Sequence, residues 1–129
     1  MAGEGGEIVS SPFRQPLEEL GTRVEGFLGV SLLGLDGIAI DSIRNRDDVM
    51  LESLGAELGS FVKSVRISSA DLNVGSVEQF SLVTDRYITI LSAVTAEYFV
   101  LLVLDRNGNF GRARYELQKL KFRLRDELS

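Results

Sequence analysis

Seven consecutive apolar residues, Tyr98-Phe-Val-Leu-Leu-Val-Leu104, constrain this chain more than any other stretch. A run that short cannot cross a bilayer, which needs about 20 residues. It is bounded by Thr95-Ala-Glu97 and Asp105-Arg-Asn-Gly108 and is rich in branched and aromatic side chains. That pattern predicts a strand buried on both faces. Such a strand needs a neighbour on each edge and a covering layer above and below, which the remaining sequence must provide.

Phe13, Leu17, Leu20, Val24 and Leu28 recur at helical spacing and predict a first helix over Arg14 to Glu25, with Pro16 near its start, Glu18 and Glu19 in its first turn and Gly26 as its end. Phe27 to Leu35 reads as a strand, followed by Asp36-Gly37 and a half-exposed edge strand over Ile38 to Ile43. Asp-Gly between two such runs signals a hairpin with a type I′ turn. Asp47 or Asp48 caps a second helix running to about Ser68, with Leu51, Leu54, Leu58, Phe61, Val62 and Val65 as its buried stripe. Gly55 and Gly59 lie inside it, each costing about 1 kcal/mol against alanine. They imply close approach of another helix, from this chain or a second copy, or of the chain's own sheet.

Val74 to Thr84 and Arg86 to Thr95 read as two further strands, the first an edge strand, joined at Asp85-Arg86. The last helix runs from Phe110 to Leu128, with Phe110, Ala113, Leu117, Leu120, Leu124 and Leu128 on one face. Tyr115 and Phe122 fall opposite that face, either as a contact surface or under a neighbouring helix. Helix, two strands, helix, three strands, helix describes an α/β/α sandwich. Residues 1–12, Gly- and Glu-rich at their start, are expected to be a disordered tail, with one domain over 13–129.

Cysteine, histidine and tryptophan are all absent, which removes disulfides, thiolate chemistry and the commonest general base. A net charge of −5 argues against nucleic acid as a partner. The basic residues concentrate in Arg112, Arg114, Lys119, Lys121, Arg123 and Arg125, against Glu116 alone, which suits either a protein partner or a solvated helix face. No phosphate loop is present, and Gly108-x-x-Gly111 reads as a close-packed turn rather than an anion site. Turn and cap roles account for Asp36 and for one of Asp47 and Asp48, so with Asp41 these acids predict no metal cluster. No catalytic residue, metal or cofactor is expected, and the chain is not expected to be an enzyme. With no leader, membrane span or lipidation motif visible, a cytoplasmic location without membrane insertion is expected.

Three strings resemble the Roadblock/dynein light chain domain family: Val30-Ser-Leu-Leu-Gly-Leu-Asp-Gly-Ile-Ala-Ile40, Asp85-Arg-Tyr-Ile-Thr-Ile90, and YFVLLVLDRNGNFGRARYEL over Tyr98 to Leu117. The resemblance covers about Leu17 to Leu128. It implies a five-stranded antiparallel sheet ordered 2-1-5-4-3, with the outer helices on one face and the second helix on the other. It further implies a homodimer in which third strands pair edge to edge and second helices lie side by side, through Gly55, Gly59, Val62, Arg66, Val77, Gln79 and Phe80. The implied partner is a Ras-like small GTPase, bound on Glu52, Ser53, Ala56, Glu57, Ser60, Lys63 and Ser64; bacterial members of this kind act on a gliding-motility or polarity GTPase. An adaptor working through its dimer and its last helix is the alternative. A small-ligand sensor is a third class, and no convergence of polar residues in the sequence supports it.

Overall fold

The computed structural model describes residues 11–128. Its elements are α1 (Arg14–Arg23), β1 (Phe27–Gly34), β2 (Ala39–Arg44), α2 (Leu51–Leu72), β3 (Gln79–Val83), β4 (Tyr87–Ala93), β5 (Tyr98–Asp105) and α3 (Phe110–Leu128). The strands form one antiparallel sheet in the order β2-β1-β5-β4-β3. β5 therefore pairs on both edges, and Phe99 to Leu104 are all buried, as the apolar run predicts.

Alternate side chains of β5 serve two cores, because successive residues of a strand point to opposite faces. Val100, Leu102 and Leu104 pack with Leu17 and Leu20 of α1 and Leu117, Leu120 and Leu124 of α3. Phe99, Leu101 and Val103 pack on the other face, with Leu51 and Val62 of α2. α1 and α3 thus share one face and α2 has the other. Residues 1–10 of the expected tail lie outside the described residues.

Local details differ from expectation where turn chemistry decides. α1 stops at Arg23, with Val24 already extended, and Glu18 and Glu19 lie beyond its first turn. Gly26, at φ +85°, carries the chain into β1, where an added Cβ would come within 2.5 Å of the Gly108 Cα. The Asn107-Gly108-Asn109 turn is thus a packing feature, and the Asn109 side chain caps α3 by accepting from the Arg112 N–H at 2.9 Å.

The hairpin forms at Asp36-Gly37, but its turn is not type I′. Among the described residues only Asn73 has positive φ outside glycine, so Asp36 does not. The Gly37 N–H donates to the Gly34 carbonyl, Gly37 takes φ +85°, and the pairing slips between Leu32 and Leu33. This is a three-residue connection ending in a left-handed glycine.

α2 begins after Met50, not under an Asp47 or Asp48 cap, because Asp48 is paired with Arg46. It runs past Ser68 to Leu72 and ends on left-handed Asn73. β3 is correspondingly short: residues 74–78 form no strand, with Gly75 at φ +95°. Within one chain, Gly55 and Gly59 face the hairpin, with the Gly37 and Leu35 backbone oxygens 3.6 and 3.4 Å from where their Cβ atoms would lie. They are buried where α2 crosses the hairpin, and a Cβ on Gly37 would come within 2.8 Å of the Ala56 Cα.

At the other edge, the Asp41 carboxylate accepts from Ser11, from the Arg14 guanidinium at 2.6 Å and from the Ser42 N–H at 2.8 Å. Burial pushes its pKa up, but the bonds from Ser11 and Ser42 and the Arg14 charge outweigh it and hold the carboxyl below its usual range.

Gly37→Ala is expected to destabilise the protein by about 2 kcal/mol or more, combining left-handed backbone strain with the Ala56 contact. Gly75→Ala, with nothing within 4 Å of its Cβ, is expected to lose only the backbone part, about 1 kcal/mol. Urea unfolding of the two variants measures the difference. Asp41→Asn is expected to be less stable than wild type at neutral pH. Because the folded pKa is depressed, the carboxylate's contribution is complete above its unfolded value and disappears as pH falls through the folded one. The gap between the two proteins should therefore close in strong acid, as read by the same unfolding assay.

Candidate functional site

The outward side of α2 gathers the surface residues that the sequence singles out. Ser53, Ala56, Glu57, Ser60, Lys63 and Ser64 are all exposed along it. Glu52 is exposed as well and accepts from Arg44 at 2.6 Å, and bonding to its own backbone N–H and to Arg44 holds its pKa below the usual range. Glu57 and Lys63 make no ion pair among the described residues, so both charges are available to a partner.

Beside this face runs the outer edge of β3, which among the described residues pairs only with β4. Phe61 belongs by its spacing to the buried stripe of α2, yet it is 52% exposed and packs edge-on against Phe80 of β3, ring centroids 5.2 Å apart. Phe80 and Leu82 point to the α2 side of the sheet, and Leu82 is itself 42% exposed. An apolar strip therefore borders an unpaired row of backbone groups, which is the kind of sheet edge that recruits another strand.

The residues implied in self-association divide into two sets of three, with Arg66 apart. Gly55, Gly59 and Val62 are already buried within one chain, the glycines against the hairpin and Val62 in the core beside α2. Val77, Gln79 and Phe80 are half-buried at or just before the open edge. Arg66 is held inside the chain, donating to the Ala96 carbonyl at 2.8 Å and lying 4.9 Å over the Phe99 ring.

On α3, Tyr115 and Phe122 are not covered by a neighbouring helix; they are 58% and 59% exposed. Arg112 and Lys119 stack on Tyr115, and Arg125 on Phe122. The same helix holds two buried charges that the periodic pattern does not reveal. Glu116 is ringed by Arg112 at 2.9 Å, Lys119 at 3.7 Å and Arg23 of α1 at 3.8 Å. Lys121 is buried without such company, and desolvation lowers its pKa, with the Glu78 carboxylate opposing the shift and Arg125 adding to it. Its place as the solitary acid in a basic segment was the available signal for Glu116; Lys121 has none.

Among the described residues no group of three or more acidic side chains is placed to hold a metal ion, and no helix is long and apolar enough to cross a membrane.

No family model and no curated protein matches the chain. Solved structures do. MglC from Myxococcus xanthus is 30% identical, with 91% of this chain and 99% of that one aligned at a TM-score of 0.65. A Roadblock/LC7 domain from Streptomyces avermitilis aligns at a TM-score of 0.79 and 18% identity, over 88% of this chain and 95% of that one. The gliding protein MglB from Thermus thermophilus aligns at 0.81 and 13% identity, over 92% of each chain. The last two are likenesses of fold.

Phe61→Ala and Phe80→Ala, combined in a double-mutant cycle of unfolding free energies, are expected to show a coupling of about 0.5–1.5 kcal/mol from the edge-on ring pair. Strict additivity would mean that the two rings act independently.

Proposed function

Because the chain belongs to the Roadblock family, we propose that it works as a homodimeric regulator or scaffold for a Ras-like small GTPase in the cytoplasm. The observation that carries this reading is the open β3 edge bordered by Phe61, Phe80 and Leu82, beside an α2 face with unpaired charges. Two copies meeting along β3, across a two-fold axis, extend the sheet through both chains and cover the strip. Val77, Gln79 and Phe80 lie along that contact. Gly55, Gly59 and Val62 contribute from beneath, by letting α2 sit close on its own hairpin and core.

The two α2 helices then form one platform, and Glu52, Ser53, Ala56, Glu57, Ser60, Lys63 and Ser64 meet the GTPase there. The chain has no catalytic site of its own in this scheme. An arginine finger is worth about 10³–10⁵ in rate, but Arg66, the one arginine of α2, is held by Ala96 and Phe99. Any stimulation of hydrolysis comes from ordering the switch loops of the GTPase itself.

A second reading is favoured by the exposure of Tyr115 and Phe122 among cations on α3: an adaptor that joins larger proteins through that helix without a GTPase. Its two aromatics present flat apolar area with a basic rim, a composition suited to protein contacts.

Leu82→Arg is expected to convert a dimer to a monomer in light scattering, by placing a charge beside the paired edges. Ras-like GTPases of the same organism, loaded with GDP or a GTP analogue, are then mixed with the wild-type chain while binding and turnover are followed. GTP-dependent binding, weakened at least tenfold by Glu57→Lys or Lys63→Glu in a still-dimeric protein, is the expected result. Binding that ignores both reversals would displace the site from α2. Absence of binding to any GTPase, with partner capture lost in Tyr115→Ala and Phe122→Ala, would favour the adaptor.

A further inference from the structure

The end of α2, the loop leading to β3, the β4–β5 turn and one side of α3 enclose a cleft of about 810 Å³. That lies within the range of small-ligand sites, about 300–1,000 Å³. Arg66, Lys121 and Arg125 line it, against the one carboxylate of Glu78. The lining therefore carries a net charge of +2, three cations less one acid, on a chain whose total is −5.

The cations differ in how they are held. Arg66 donates to the Ala96 carbonyl at 2.8 Å, and Arg125 donates to the Val94 carbonyl at 3.0 Å while stacking 5.6 Å over Phe122. Both guanidiniums are thereby anchored around the β4–β5 turn. Lys121 is only 7% exposed and, among the described residues, has neither a hydrogen-bond nor an ion-pair partner. The stem is buried while the Nζ is not sealed from solvent, so the ammonium opens into the cleft, partly desolvated and repelled by Arg125; a methionine of similar length would fill the space without that cost. Glu116, five residues earlier on the same helix, is as deeply buried yet faces three cations. Burial of a charge on α3 is thus balanced at one position and left open at the other, where the cleft lies.

We propose that this cleft binds a small molecule through a doubly charged anionic group, a phosphate monoester or a dicarboxylate, with Lys121 as the central cation. Arg66, anchored by the Ala96 carbonyl, offers a preplaced donor, Arg125 adds positive charge to the lining, and the Lys121 ammonium supplies the point charge that the anion completes. Phe122 and Val94 provide an apolar wall for the body of the ligand. The site lies between the end of α2 and one side of α3 and does not rest on the GTPase reading.

The test uses the full chain, titrated with inorganic phosphate, with succinate and with sodium chloride at matched ionic strength, followed by amide NMR and by thermal unfolding. Saturable shifts at cleft residues and a rise in Tm with phosphate or succinate, absent with chloride, are expected. A tenfold preference for phosphate identifies a phosphorylated ligand, and the reverse preference a dicarboxylate. Lys121→Met should melt higher than wild type without ligand and lose the anion response, a pairing that a purely structural lysine would not give. Glu78→Gln, at an exposed position, should tighten anion binding several-fold and serves if Lys121→Met fails to fold. Equal responses to all three salts, an anion response undiminished in Lys121→Met, or binding only of an acidic peptide would each overturn the proposal.

Discussion

The double burial of β5 is the constraint on which the rest depends. Its backbone is hydrogen-bonded on both edges, to β1 and to β4, so it cannot lie at a margin. Its side chains are apolar at every position from Phe99 to Leu104, so neither face can meet water. Two cores follow, one per face, and each demands helices with an apolar stripe. The described residues form three helices for two faces. One face receives α1 and α3, the other α2 alone.

That imbalance locates the unfinished surface. Strands lie about 4.8 Å apart, so five of them are wider than a single helix of about 10 Å. α2 packs over β1 and β2, with Gly37 allowing it down onto the hairpin. Sitting there, it leaves the β4–β3 side of its face thinly covered. Phe61 reaches across to Phe80, and Leu82 beyond it is exposed. The open strip is a consequence of where α2 is seated, not a separate feature added to the fold. The two helix glycines, which in sequence point equally to a second copy, lie against the hairpin within one chain, where a Cβ on either would make ordinary contacts at 3.4–3.6 Å; the tight approach is at Gly37 instead.

Long apolar periodicities were legible in sequence, since many residues vote together. The β5 run, the face of α3 from Phe110 to Leu128, and the alternation of Ile88 and Ile90 against Leu91 all lie where their spacing puts them. Features set by one or two residues were not. Asp-Gly fits more than one hairpin turn, and here Gly37 alone is left-handed while Asp36 is not. The polar stretch after Ser68 reads as a break, yet Ala70 to Leu72 continue the helix until Asn73 adopts the left-handed conformation. The residues of the α2 face were legible as exposed, because polar side chains recur there at helical spacing. Their service to a partner is not a property of spacing at all.

Charge on α3 was the least legible of all, for a geometric reason. A helix buries a stripe about 100° wide or more, and residues at its margins are buried or solvated according to what lies beside them. Glu116 and Lys121 both adjoin buried leucines, Leu117 and Leu120, and periodicity treats them alike. The neighbouring layer separates them. Arg23 of α1, together with Arg112 and Lys119, closes over Glu116, so its desolvation is offset by attraction. Lys121 instead faces the end of α2 and the β4–β5 turn, where the arginines are turned toward backbone carbonyls. Two buried charges on one helix thus have opposite electrostatic standing. The first ties α3 to α1. The second, with the Glu78 carboxylate as its one acidic neighbour in the cleft, leaves a net positive concave surface that an anion from outside completes.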